Sequence, residues 1–333
     1  MGKMIIVVAG AQGNLGKLVC DALIARSRSE GRPVLVRGLV RKGGAHAGSG
    51  VPGDVPAEVS AQHLAIVPVD YENNDDLNRA CAGASCVVSA LQGLENVIVG
   101  VQSRMLAAAI ANNVRRFVPS DFSLDLTQIP EGANRNFDLR LRFHREAERL
   151  IQQSKSGIEF TSIYQGAFTE LLGSGWFLFD YKKRQISYFG SPDTVMEFST
   201  WKNTAEFTAA AAMDPNPTPR NLFVAGQRLT PKDAQQLASN VTGVDFKLKR
   251  LMSVGMLRLM ISMMKFFRPG KKDETMPVWV GMQYGYCMAL GLNPSRLDND
   301  RYKGIQWTRV DDVIRKAFDL SLSAGAENRK GKL

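Results

Sequence analysis

Cysteine is scarce: Cys20, Cys81, Cys86 and Cys287 are the only four in 333 residues, and no two form a C-x-x-C pair. That leaves little material for a disulfide framework or a zinc site, and a reducing compartment fits. Histidine is scarcer still, with His46, His63 and His144 forming no cluster. No apolar run reaches the roughly 20 residues needed to span a bilayer. No charged n-region or cleavable apolar segment precedes the strand pattern that begins at Met4. A cytoplasmic chain with no membrane partner is the expectation. Acidic residues are in deficit, 32 against 42 basic ones, giving a net charge of +10. Such an excess favours anionic partners without naming one. From residue 31 to residue 53 there is no Asp or Glu at all.

What is present reads as globular protein. With 44% hydrophobic and 22% charged residues, the composition excludes a disordered, collagen-like or coiled-coil chain. The length allows about two domains. Met4, Ile5, Ile6, Val7, Val8 and Ala9 form a continuous apolar run, the pattern of a strand buried on both faces of a parallel sheet. Gly10-Ala11-Gln12-Gly13-Asn14-Leu15-Gly16 follows at once, and residues 17–28 then carry helical periodicity. Strand, glycine turn and helix are the context a dinucleotide fingerprint requires. Gly10 permits the tight turn, Gly13 lets the backbone approach a pyrophosphate, and Gly16 lets the helix pack against the strand. Gln12, Asn14 and Leu15 stand at the helix N-terminus, whose amides and dipole attract phosphate. The G-x-x-G-x-x-G spacing points to the short-chain dehydrogenase branch of the fold.

The second strand, residues 33–40, ends at Arg41 and Lys42. NAD-preferring sites carry an acid about here for the adenosine ribose. Two cations in its place predict NADP(H), with Arg41 as the main clamp on the 2′-phosphate and Lys42 beside it. Two solvated surface cations are the plainer alternative. Residues 43–60 read as a long loop rich in Gly and Pro. Strands follow at 64–69, 86–89, 116–120 and 158–163, alternating with helices at 74–82, 97–112 and 136–153. Such alternation predicts an α/β fold, a Rossmann-type doubly wound parallel sheet that binds NADP over residues 1–164.

Past residue 165 the alternation breaks. Short strands (185–189, 221–225) mix with helices (204–213, 231–241, 310–322), predicting a smaller C-terminal α+β substrate domain over 165–333. The segment at about 195–230 is a candidate to return to the Rossmann sheet. Pro215-Asn216-Pro217-Thr218-Pro219 reads as a linker, and residues 325–333 as a polar, basic tail. Met252, Met256, Met260 and Met263 fall at helical spacing. They suit a core helix, a substrate lid, or a subunit or membrane-surface contact, and Arg258 argues against deep insertion. The basic residues are scattered and lack interleaved aromatics, so no nucleic-acid partner is expected.

The Gly10 turn, Arg41, and Arg116-Phe117-Val118-Pro119-Ser120-Asp121-Phe122 resemble the NmrA-like and isoflavone-reductase-like atypical short-chain dehydrogenase/reductases. So does Asn299-Asp300-Arg301-Tyr302. The resemblance covers most of the chain. It implies an NADPH-binding Rossmann domain and a smaller C-terminal domain, with an aromatic substrate between them. Members reduce isoflavones, pinoresinol-type lignans, phenylcoumaran ethers and quinones, while a few are cofactor-sensing regulators without turnover. By the same resemblance Ser89, Ala90 and Leu91 lie against the cofactor, and Ser120, Asp121 and Phe122 beside the nicotinamide. Tyr164, Gln165, Gly166 and Phe168 would border nicotinamide and substrate. Read without it, Ser120 and Asp121 also suit a helix N-cap, and Tyr164 a packed core ring.

One departure from the family stands out. Reducing members carry a lysine in a phenylalanine-acid-x-lysine context, and here that context reads Phe137-Asp138-Leu139-Arg140. No Tyr-x-x-x-Lys pair occurs either. Arginine keeps its charge, so Arg140 does not serve as general acid or base. Either it holds the nicotinamide ribose or steadies negative charge on a reduced oxygen, or catalysis has been lost. His144, four residues on and on the same helix face, is either a proton donor or a structural histidine. The expectation is an NADPH-dependent reductase of a small aromatic, quinone or enone-like molecule, with no metal. The alternative is a non-catalytic NADP(H)-sensing regulator acting through a protein partner. A homodimer is left open.

Overall fold

The computed structural model describes residues 3–43, 63–173 and 179–330, with side chains to residue 321. His46, nearly all of the expected 43–60 loop and residues 331–333 lie outside them.

The apolar runs make the strands and the amphipathic runs between them make the helices. In chain order these are β1 (Met4–Ala9), α1 (Asn14–Ser29), β2 (Val34–Arg41), β3 (Leu64–Val69), α2 (Asn74–Cys81) and β4 (Cys86–Ser89). A π-helical turn (Asn96–Val101) leads into α3 (Gln102–Ala111), then β5 (Arg116–Val118), α4 (Arg135–Ser154) and β6 (Glu159–Phe160). The six strands form one sheet in the order β3-β2-β1-β4-β5-β6, parallel throughout. This is the doubly wound arrangement, and the order reverses between β1 and β4, which opens a crevice at the carboxyl ends of the strands. One core lies on each face: Ile6, Val8 and Val88 pack on α1, while Val7, Val87 and Phe117 pack towards α2, α3 and α4.

The expected 97–112 helix is thus two pieces. The β-branched run Val97, Ile98, Val99 fits an α-helix poorly, and the buried Gln102 side chain repairs the widened turn, its Nε2 donating to Ile98 O at 2.8 Å. The expected sixth strand is also split. β6 pairs with β5, whereas β7 (Ser162–Tyr164) turns to β12 (Asn221–Phe223), also in parallel.

Two later segments lie against this part. α5 (Trp201–Met213) packs on α1 through Ala205, Phe207 and Ala209, and β12 pairs with β7 in a separate two-stranded sheet. Residues 215–219 connect them and are pinned rather than free. Arg115 and Arg116 donate to Pro215 O and Asn216 O, and Arg301 to Pro217 O. Arg116 is itself buried, its charge met by Glu159 at 2.6 Å. The Asn299-Asp300-Arg301-Tyr302 stretch has the same structural duty. Asn299 brackets the Ala225 backbone, and Arg301 and Tyr302 both reach Asp214.

The remainder forms a second core around Phe179, Ile186, Phe198, Phe246 and Ile314. Its two small sheets join β8 (Ala167–Phe168), β11 (Met196–Ser199) and β13 (Gln227–Leu229), and β9 (Phe179–Asp180), β10 (Gln185–Phe189) and β14 (Lys247–Met252). Helices α6 (Pro231–Thr242), α7 (Val254–Phe267), α8 (Val278–Ala289) and α9 (Val310–Lys330) surround them. α9 runs through residues 325–330, where a tail was expected.

Candidate functional site

The glycine turn rests on contacts that exclude a side chain. Gly10 holds φ at +75°, and a Cβ there would meet Ala90 O at 2.8 Å. A Cβ on Gly16 would meet Gly10 O at 2.1 Å. Gly13 is more open, its nearest neighbour at 3.3 Å. It begins α1 with no side-chain cap and no acid in the first turn. Unsatisfied amides at that helix end suit an anion, and nothing local competes for them.

Behind the turn, Tyr71 is buried, its hydroxyl donating to Leu39 O at 3.4 Å and accepting from the Gly10 amide. Burial pushes its phenol up to about 12, against the opposing pull of the Gly10 amide and the Arg41 charge. β2 therefore ends beside the glycine turn, with Arg41 exposed and its guanidinium unpaired among the described residues. Lys42 differs from expectation. Its Nζ lies 2.5 Å from Asp76 Oδ2, a carboxylate 34 residues further on that also pairs with Arg79. The acid missing from the 31–53 stretch is supplied from α2, and Lys42 is partly neutralised.

A cavity of about 660 Å³ opens at this edge of the sheet, well within the range of small-ligand clefts. Of the residues singled out from the sequence, Gly10, Gly13, Asn14, Leu15, Ala90, Leu91, Ser120, Phe122, Arg140, Gln165, Gly166 and Phe168 line it. Ser120 locks its floor. The Ser120 amide donates to Gln102 Oε1 (2.9 Å), its hydroxyl to Leu91 O (2.6 Å), and its carbonyl accepts from Arg140 Nε (2.8 Å). It is a tie between three elements rather than a helix cap. Arg140 Nη1 donates to Asn136 O at 2.9 Å, so two hydrogen bonds fix the guanidinium. Among the described residues Arg140 is the one charged side chain in the lining, amid Phe122, Phe137, Phe168, Trp201 and Tyr284.

The C-terminal part supplies the roof with Thr275, Met276, Tyr284 and Met288. It is tied to the start of α4, where Arg135 Nη2 donates to Thr275 O (2.7 Å) and Gln283 Oε1 accepts from the Arg135 amide (3.0 Å). Asn136 Nδ2 donates to Tyr284 Oη at 3.4 Å.

Several expected residues stand outside the lining: Gln12, Gly16, Arg41, Lys42, Ser89, Asp121, Tyr164 and His144. Ser89, Asp121 and Tyr164 are buried. Tyr164 is a packed ring, stacked on Phe223 at 5.6 Å. Asp121 accepts from His144 Nε2 (2.5 Å) and Ser162 Oγ (2.7 Å), which commits both Asp121 and His144 to the interior. Burial alone would raise the Asp121 pKa. The pull and hydrogen bond of the His144 ring, the Ser162 hydroxyl and the Arg140 charge outweigh it and hold the carboxyl below the usual range.

The ionised Asp121 therefore stabilises the fold above the ordinary aspartate value of about 3.9. That contribution is lost as pH falls through its lower folded value. Asp121→Asn should lose about 3 kcal/mol of stability near neutrality, and progressively less below a pH of about 4. Denaturation measured across pH checks this; a loss independent of pH would contradict it.

Asn136, Trp201 and Tyr284 line the cavity and were not anticipated. Asn136 precedes Arg140 by one helical turn, a spacing that could have revealed it. Trp201 and Tyr284 arrive from distant segments, and no local pattern marks them. Among the described residues, no group of three or more His, Cys, Asp or Glu is placed to hold a metal ion. No helix there is long and apolar enough to cross a membrane.

A family model described as NAD(P)H-binding matches residues 10–184, just over half of the chain. Among characterised proteins the chain is similar to eugenol synthase 1 of Petunia hybrida, 23% identical over 233 residues, 67% of this chain and 68% of that one. It is also similar to a phenylcoumaran benzylic ether reductase of Ginkgo biloba, 24% identical over 234 residues, 67% of this chain and 70% of the other. Two solved structures share the fold. AtPrR2 with NADP+ and (+)pinoresinol has a TM-score of 0.72 at 18% identity, covering 95% of this chain and 99% of that one. An isoflavone reductase has a TM-score of 0.70 at 17% identity, with coverage of 95% and 99%. The chain belongs to the NAD(P)H-binding family and, within it, resembles the isoflavone-reductase-like proteins.

Proposed function

We propose that the chain is an NADPH-dependent reductase of a small aromatic, quinone or enone-like molecule. One observation carries this reading. A single fixed cation, Arg140, stands in an otherwise uncharged, aromatic-rich cavity that begins at the glycine turn. The characterised relatives, reductases among them by name, agree with it.

Gly10, Gly13, Asn14 and Leu15 would hold the pyrophosphate, with the uncapped first turn of α1 as donor. Arg41 would hold the 2′-phosphate. Ala90, Leu91, Gln165 and Phe168 would flank the nicotinamide. Gln165 Oε1 is buried without a hydrogen-bond partner, so it can accept from a carboxamide. The chemistry supplied by a bound NADPH is hydride transfer to an electrophilic carbon. Arg140 steadies the negative charge that then develops on the substrate oxygen, a task needing a fixed cation rather than a proton. The Tyr284 hydroxyl accepts from Asn136 and keeps its own proton for that oxygen. Phe122, Phe137 and Trp201 keep water from the reacting atoms. Residues 1–164 with 201–224 form the nucleotide half of this reading, and the rest covers the substrate.

The test is NADPH consumption, followed by absorbance, against a panel of quinones, enones and aromatic carbonyls. Turnover supports the reductase. Tight NADPH binding with no turnover across the panel would favour the non-catalytic sensor. Arg41→Asp should weaken NADPH about 100-fold, the worth of one charge-assisted phosphate contact, and leave NADH little changed. Calorimetric titration gives both values, and an unchanged NADPH preference would refute the role of Arg41.

A further inference from the structure

Among the described residues the most exposed apolar surface is on α7, which the reductase reading does not use. Only Leu257 and Ile261 of this helix are buried. Met256, Leu259, Met260, Met263, Phe266 and Phe267 all face outward, with Phe266 80% and Phe267 71% exposed. At 100° per residue the six fall within one arc of about 120°, a continuous apolar stripe. Arg258 and Lys265 stand on the far side of the helix from that arc. Arg258 therefore does not break the stripe. The stripe carries no hydrogen-bonding side chain that would fix the register of a folded partner.

Cations dominate the surrounding charge, with Asp245, Asp273 and Glu274 at the borders of the segment. From residue 247 to residue 272 there are eight cations (Lys247, Lys249, Arg250, Arg258, Lys265, Arg268, Lys271 and Lys272) and no Asp or Glu. All eight are exposed. A second copy docked by two-fold symmetry would bring these cations against their own equivalents, which disfavours self-association. A bilayer with anionic headgroups meets both requirements, since its acyl chains accept the stripe and its headgroups accept the cations. The face is anchored rather than frayed. Lys265 Nζ lies 5.4 Å from the Trp279 ring centre, and Trp279 Nε1 donates to Pro269 O at 2.9 Å.

We infer that the exposed face of α7, with its cationic surround, is a peripheral docking site for an anionic lipid surface. This departs from the expectation of no membrane partner, which the sequence supports only for a spanning segment. Met276, nine residues past Phe267, is exposed and also lines the cavity, so one cavity wall belongs to the same segment.

The test is co-sedimentation of the full chain with vesicles and needs neither nucleotide nor substrate, so it stands apart from the reductase assay. The chain should pellet with phosphatidylcholine vesicles containing about 30% phosphatidylserine and not with phosphatidylcholine alone. Raising salt from about 0.1 M to about 0.5 M should reduce the bound fraction at least roughly tenfold. The double variant Phe266→Ser, Phe267→Ser should stay in the supernatant with its circular dichroism and melting unchanged, as both side chains lie in solvent. Pelleting with neither vesicle type would overturn the proposal. So would equal pelleting of the double variant, or apolar self-association that hides the stripe, measured by light scattering.

Discussion

Arg140→Met is expected to lower kcat about 100- to 1000-fold, the usual loss when one donor to a developing oxyanion is removed. The side chain does two things that methionine cannot. It carries the only charge in the cavity lining among the described residues, and it ties α4 to the end of β5 through Ser120 O. Arg140→Lys separates the two. Lysine keeps the cation and reaches one carbonyl, and it restores the residue that reducing relatives are expected to carry at this place. We expect it to retain turnover within about tenfold, because charge is the larger part of the effect. Steady-state kinetics with the best substrate of the panel, alongside NADPH affinity, distinguishes the outcomes. If methionine lowers NADPH affinity and leaves kcat alone, Arg140 is a cofactor ligand and not a stabiliser of the transition state.

The second large effect belongs to the glycine turn and depends on which glycine is changed. In Gly16→Ala the new methyl would sit 2.1 Å from Gly10 O, which is backbone and has nowhere to go. The turn must shift, and we expect about 3 kcal/mol of destabilisation with nucleotide affinity lost at least roughly 100-fold. In Gly13→Ala the methyl meets the same oxygen at 3.3 Å, a tight contact that a shift of a few tenths of an ångström relieves, so the fold should lose far less. Yet that methyl would stand where the pyrophosphate must approach the backbone. Nucleotide affinity should fall with little change in melting temperature. Thermal melts with and without NADPH test the contrast, and equal destabilisation by the two variants would contradict it.

How much of this was legible in the sequence follows from the range of the interactions involved. β1 and β4 lie where their apolar runs put them, because a strand buried on both faces writes itself as an unbroken hydrophobic stretch, and β3 follows its apolar run although as an edge strand it is buried only at its ends. The glycine turn was equally plain, since its three glycines and the close approach of Gly16 to Gly10 fall within seven residues. Residue ends that depend on partners were not. β6 and β7 read as one strand in sequence, and only the separate pairing with β5 and β12 divides it. The 215–219 stretch looked like a linker by composition, yet Arg115, Arg116 and Arg301 hold its carbonyls from across the fold.

The site divides the same way. Backbone positions near β1, β4 and β5 were found, because sheet topology brings strand ends together at the switch point. Side-chain direction was not visible. Asp121 lies between Ser120 and Phe122, both in the lining, but turns inward to His144 and Ser162. Lys42 stands as expected after β2, while its partner Asp76 is brought in by α2. The roof residue Tyr284 sits on α8, a helix hydrophobic enough to give no amphipathic signal.

The central claim is that a nicotinamide nucleotide occupies the edge of the sheet with its adenosine phosphate against Arg41. Isothermal titration of the unmodified chain with NADPH and, separately, with NADH examines it most directly. Clear binding of NADPH, and binding of NADH weaker by at least about tenfold, is the predicted result. Heat from neither nucleotide would contradict the account, and equal affinity for both would remove the phosphate clamp from it.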